Sequence, residues 1–183
     1  MFIPEKNIYL LEIPKCGSRT LVKAADLTYK NNTYRGHKDR NTGLVHLDKL
    51  GLINRDTVVV AVIRNPIDRF LSGLNYLCNR DPRYTLDKAL VDLTVTGHRQ
   101  QMVFRTQSSF LTPHDFKGIT TRLYHFSQLQ EVCRLLGYTG EPLHENKSPK
   151  KYTLLDIRHY IDHLNEHYQD DILLNAPFKH LED

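Results

Sequence analysis

The 183-residue chain has no tryptophan, two methionines and only three cysteines. Cys16, Cys78 and Cys133 are odd in number, widely spaced and without a CxxC pair. That pattern speaks against a disulfide framework and predicts reduced thiols in a cytosolic setting. Long hydrophobic runs are also missing. The longest, Val58 to Ile63, falls far short of the roughly 18 apolar residues that a membrane-spanning helix needs. Met1 to Lys6 lacks the charged-then-apolar character of a secretory signal, so the expected location is the cytoplasm. Neither sign of charge dominates: 25 Lys and Arg against 21 Asp and Glu leave +4. Such a bias suits an anionic ligand but is too weak for a surface that coats nucleic acid. With 40% hydrophobic and 25% charged residues and no low-complexity tract, the composition is globular. At roughly 100 to 200 residues per domain, the length predicts a single domain over residues 1–183.

The pattern along the chain is strand, loop, helix, three times over. Ile8 to Ile13 is a short run of strand formers, followed by Pro14, Gly17 and a helical pattern from about Arg19 to Tyr29. Lys30 to Gly43 is polar and aperiodic, a long surface loop of the kind that often carries function. Val58 to Ile63 reads VVVAVI, the signature of a strand buried on both faces of a parallel sheet. Asn65 and Pro66 then open a helix, with Ile67, Phe70, Leu71 and Leu74 along one face. The third unit runs from Arg122 to Phe126 into a helix with Ser127 and Gln130 as a capping box and Gly137 at its end. Thr153 to Leu174 reads as one long amphipathic closing helix. Three such units predict an α/β fold, a mostly parallel sheet with helices on both faces. Ligands of such sheets bind beyond the carboxyl ends of the strands, which points to the loops after Ile13, Ile63 and Phe126.

Two of those loops are rich in anion-binding chemistry. Lys15, Gly17, Ser18, Arg19 and Thr20 combine cations, hydroxyls and a glycine at the positive end of a helix, which makes a phosphate cradle. This is not a Walker A loop, because Lys15 precedes the only glycine. The competing reading is an ordinary βα turn with a solvated lysine. In the second loop, Arg64 leaves the end of the buried strand and Ser72 follows two helical turns on, with Asp68 expected to pair locally. Arg64 alone reads equally well as a cap or a bridge. The two grips together imply a ligand phosphorylated at two separated positions.

With these residues in place, the chain resembles the sulfotransferases that use 3′-phosphoadenosine 5′-phosphosulfate (PAPS), in particular the carbohydrate-type branch related to heparan and chondroitin enzymes. IPKCGSRTL is similar to that family's 5′-phosphosulfate loop and VIRNPIDRFLSGL to its 3′-phosphate motif. FRTQSSFL with Gln107, LYHFSQLQEVCRLLG, and His144 to Ser148 resemble later landmarks more loosely. The resemblance implies a P-loop-like sheet and a role for Lys15 on the phosphosulfate and its leaving oxygen. It further implies that Gly17 to Thr20 hold the 5′-phosphate, that Arg64 and Ser72 hold the 3′-phosphate, and that PAP is the product, with no metal required. It also implies a hydroxyl-bearing acceptor, with carbohydrate as the expected class. As general base it favours His46 over His37, and it lets the basic cluster with Lys147 and Ser148 close over the nucleotide, where the alternative is a solvated loop. Golgi members of that branch carry an amino-terminal anchor; here the first strand comes almost at once, which again predicts a soluble cytoplasmic enzyme. The chain is also short for the family, so part of the acceptor apparatus is expected to be missing or supplied by another subunit.

His159, His163 and His167 stand four apart, a spacing that would suit a metal, but the apolar stripe of their helix predicts that the rings face solvent. The aromatic residues do not interleave with basic ones, which excludes a stacking platform for single-stranded nucleic acid. Two other functions remain open on sequence grounds: a nucleotide or small-molecule kinase of the P-loop type, and a PAP- or PAPS-binding module without catalysis.

Overall fold

The computed structural model describes residues 1–30, 33, 48–95, 101–111, 119–143 and 149–181. Four strands form one sheet in the order in which they occur: β1 (Phe2–Ile3), β2 (Ile8–Leu11), β3 (Val58–Ile63) and β4 (Thr120–His125). β2, β3 and β4 are parallel, with Ile8 opposite Val58, Val58 opposite Thr120 and Ile63 opposite His125. β1, which the sequence reading did not anticipate, pairs antiparallel to β2 through Ile3 and Ile8. A 3₁₀ turn at Pro4–Lys6 reverses the chain between them, with Asn7 in the left-handed region at φ 50°. All four residues of β2 and five of six in β3 are buried, as the β-branched run requires of strands covered on both faces. β2 is shorter than the expected Ile8 to Ile13 because Ile13 N bonds back to Leu11 O at 3.1 Å and the chain turns away.

The helices follow as α1 (Ser18–Tyr29), α2 (Pro66–Arg80), α3 (Leu86–Thr94), α4 (Gln107–Leu111), α5 (Leu129–Leu135), α6 (Leu154–Ile157), α7 (Ile161–His167) and α8 (Gln169–Asn175). α1 turns Leu21, Ala24 and Ala25 onto the sheet, where they share one core with Val132, Cys133 and Leu136 around α5. α2 begins as its sequence predicts: Asn65 Oδ1 accepts from Ile67 N at 3.0 Å and from Asp68 N at 3.3 Å, and Pro66 occupies the first turn. Phe70 and Leu74 of α2 anchor a second core with Leu93, Phe104, Ile157, Leu164 and Tyr168. Full burial of each such side chain contributes about 1.5 to 3 kcal/mol. The architecture is thus the predicted α/β class, a mostly parallel sheet flanked by helices, with a helical core built out around α2.

Two local expectations are corrected. The capping box at the end of β4 belongs to His125 and Gln128, not to Ser127 and Gln130: His125 Nδ1 accepts from Ser127 N at 3.3 Å while Gln128 Oε1 accepts from His125 N at 3.0 Å. The strand ends one residue earlier than its apolar run, so the cap moves back with it. Gly137 does end α5, at φ 87°, with Tyr138 N on Cys133 O at 3.0 Å and Gly137 N on Arg134 O at 2.8 Å, the paired bonds of a Schellman motif. The single closing helix over Thr153 to Leu174 is instead α6, α7 and α8 joined at Ile157, Tyr160 and Tyr168, whose ψ values of 3°, 3° and 22° break the α ladder. These bends keep Ile157, Leu164, Tyr168 and Asp171 facing inward while the chain turns around the core. His159 and His163 are exposed as expected, but His167 is half-buried with its ring 4.6 Å from that of Tyr168. Burial lowers its pKa.

Among the described residues no helix is long and apolar enough to cross a membrane, and no group of His, Cys, Asp or Glu is placed to hold a metal ion.

Candidate active site

The loop after β2 makes two left-handed steps, Lys15 at φ 69° and Gly17 at φ 80°. The second requires glycine for space as well as for conformation, since a Cβ there would stand 2.7 Å from Leu129 Cδ1. The backbone therefore runs close against the start of α5, and Gly17 O accepts from Leu21 N at 3.2 Å to start α1. Ser18 is half-buried, Arg19 exposed and Thr20 buried in the first turn.

Lys15 projects over α2, where its Nζ lies 4.5 Å from the centre of the Tyr76 ring. Its pKa is held below the ordinary lysine value, first by burial and then by the positive charges of Arg19 and Arg64. Three cations from two separate loops thus share one field. Arg64 stacks its guanidinium 4.6 Å over the Phe126 ring, and its Nη2 stands 4.0 Å from Asp68, the local pairing that the sequence predicts. Its Nε is buried and has no hydrogen-bond partner among the described residues. Ser72 is half-buried on α2, one turn before Tyr76 and so on the same helix face.

Of the residues that the sequence singled out, Lys15, Arg19 and Arg64 come together, with Gly17, Ser18 and Thr20 lining the turn into α1. His46, Lys147 and Ser148 lie outside the described residues, as does His37. Cys16, inside the cradle, is no nucleophile: burial pushes its thiol up to about 11. All three cysteines are free and buried.

The sequence reading missed the groups that hold the loops. Arg69, 0% exposed, donates from Nε to Pro14 O at 3.0 Å and from Nη1 to Arg105 O at 2.7 Å. It therefore fixes the peptide just before Lys15. The signal was present, because Arg69 falls within the buried stripe of Pro66, Phe70, Gly73 and Leu74, where a charge has to have a purpose. Arg69→Ala leaves two half-buried carbonyls without their donor and removes a fully buried side chain, so it is expected to destabilise the chain by about 3 to 5 kcal/mol. Urea unfolding measures this, and a loss below about 1 kcal/mol would show that the carbonyls find other donors.

The arrangement is that of an α/β protein in which two loops bring cations to the carboxyl ends of β2 and β3. The Sulfotransferase family model matches residues 1–136, from β1 through α5, and the chain belongs to that family. Its members move a sulfuryl group onto a hydroxyl. Searches of curated proteins and of solved structures returned no significant match.

Proposed function

We propose that the protein transfers a sulfuryl group from PAPS to a hydroxyl acceptor of the carbohydrate class. The observation that carries this reading is the convergence of Lys15, Arg19 and Arg64 from two strand ends, with Arg64 Nε buried and without a partner among the described residues. Like charges crowded in a half-buried site cost stability unless an anion neutralises them. Two loops that each bring cations fit a ligand with phosphates at both ends better than one with a single phosphate.

On this reading Lys15, Gly17, Ser18, Arg19 and Thr20 hold the 5′ end, and Arg64 with Ser72 holds the 3′-phosphate. Lys147 and Ser148 are proposed to close over the nucleotide. PAPS supplies a sulfuryl group on a phosphate leaving group. Lys15 balances the negative charge that grows on that phosphate, and Tyr76 steadies the ammonium through its ring face. The acceptor proton passes to His46. Such transfer depends on positioning and charge more than on covalent help from the protein. The kinase alternative gains nothing from the geometry, since the only lysine of the loop precedes its glycine.

Arg64→Ala is the direct test. Loss of one charge-assisted anchor should weaken 3′-phosphoadenosine 5′-phosphate by about 1.5 to 3 kcal/mol and leave adenosine 5′-monophosphate nearly unchanged. Equal losses in calorimetry for the two nucleotides would remove Arg64 from the 3′ site.

A further inference from the structure

The family match ends at residue 136, yet the bonds that hold the site continue beyond it. α8 carries Asp171, whose side chain is 0% exposed and points at the start of α4. Its Oδ2 accepts from Gln107 N at 2.8 Å and its Oδ1 from Ser108 N at 2.9 Å. Asp171 Oδ2 also accepts from Gln107 Nε2 at 3.4 Å. The Gln107 amide, itself 0% exposed, reaches both anion loops. Its Oε1 accepts from Arg64 N at 2.8 Å and from Cys16 Sγ at 3.2 Å, and its Nε2 donates to Arg64 O at 2.8 Å. One side chain thus occupies both polar groups of the Arg64 main chain and touches the cradle at Cys16.

We propose that Asp171 is a positioning residue of the nucleotide site: through Gln107 it fixes the main chain of Arg64 relative to the first loop, and so sets the separation of the two anion grips. An amide that turned over would exchange its oxygen and its nitrogen. Asp171, a carboxylate that only accepts, holds the NH₂ end toward itself and so keeps the oxygen on Arg64 N and Cys16. Its two bonds to α4 backbone amides fix where that glutamine starts. The segment after residue 149, which the family model does not cover, thereby becomes part of the binding machinery.

This inference rests on the proposed function and is tested by calorimetry with 3′-phosphoadenosine 5′-phosphate and adenosine 5′-monophosphate on the full chain. The wild-type protein, Asp171→Asn, Arg64→Ala and the double variant are compared. Asp171→Asn should weaken the bisphosphate about tenfold, a size usual for coupling through packed polar groups. It should leave the monophosphate within about twofold and add little to Arg64→Ala, since both changes act on one contact. Should Asp171→Asn fail to fold, Gln107→Met breaks the same link while leaving the Asp171 bonds to the α4 backbone, and should give the same selective loss. Equal loss for both nucleotides, no loss, or full additivity with Arg64→Ala overturns the positioning role. A wild-type protein that binds the two nucleotides equally overturns the function itself and this inference with it, an outcome read before any variant is made.

Discussion

Replacing Lys15 with alanine is expected to lower turnover at saturating donor by about a hundredfold or more, while nucleotide affinity falls much less. The asymmetry follows from when the charge is needed, because the leaving phosphate is most negative as the sulfuryl group departs. Stability should move the other way. Burial, followed by Arg19 and Arg64, depresses the Lys15 pKa in the folded protein. Between that lowered pKa and the ordinary lysine value the unfolded chain binds more protons, so the folded state gains stability as pH rises through this window. At neutral pH the charged lysine is therefore a burden on the unliganded fold, and Lys15→Ala should melt no lower than the wild type. Nucleotide binding should weaken on the alkaline side at a lower pH than for an unperturbed lysine. An alanine variant with near-normal turnover at saturating donor would take Lys15 out of the mechanism.

His46→Ala is expected to abolish most sulfuryl transfer, by about 10² to 10⁴-fold, and to leave nucleotide binding intact. A base acts on the acceptor hydroxyl and contributes nothing to holding phosphates, so the two measurements separate it from every residue of the cradle. His46 is preferred to His37 because it lies nearer the strand that follows, where an imidazole is more readily held within hydrogen-bond reach. Labelled transfer with His37→Ala alongside decides between them. If His37→Ala loses transfer and His46→Ala keeps it, the polar segment from Lys30 to Gly43 supplies the base.

The parallel strands were legible because their signals are local. VVVAVI admits few alternatives to a buried strand, and Asn65 with Pro66 writes a helix start into two residues. The tight turn into α1 was legible for the same reason, since Pro14 and Gly17 fall within the seven positions from Pro14 to Thr20. What escaped was set at a distance. Two residues of β1 carry too little pattern to announce a strand, and only pairing with β2 makes them one. The breaks at Ile157, Tyr160 and Tyr168 arise from wrapping around a core that no helical period describes. Arg69, Gln107 and Asp171 bond to partners 36 to 91 positions away, so their roles depend on the topology. Arg69 left one trace in the sequence, a charge inside an otherwise apolar stripe, and Gln107 drew notice only through the loose likeness of FRTQSSFL.

Among the described residues Arg64 has a buried nitrogen without an acceptor, and Lys15 is held among like charges. Neither arrangement is a good solution to folding, and both would be removed by apolar or acidic replacements that satisfy or dilute them. Selection of variants for heat resistance alone would therefore drift toward a sturdier chain that has lost these two cations. On the proposed function these groups are held in local frustration, and its relief by a bound anion would contribute to recognition.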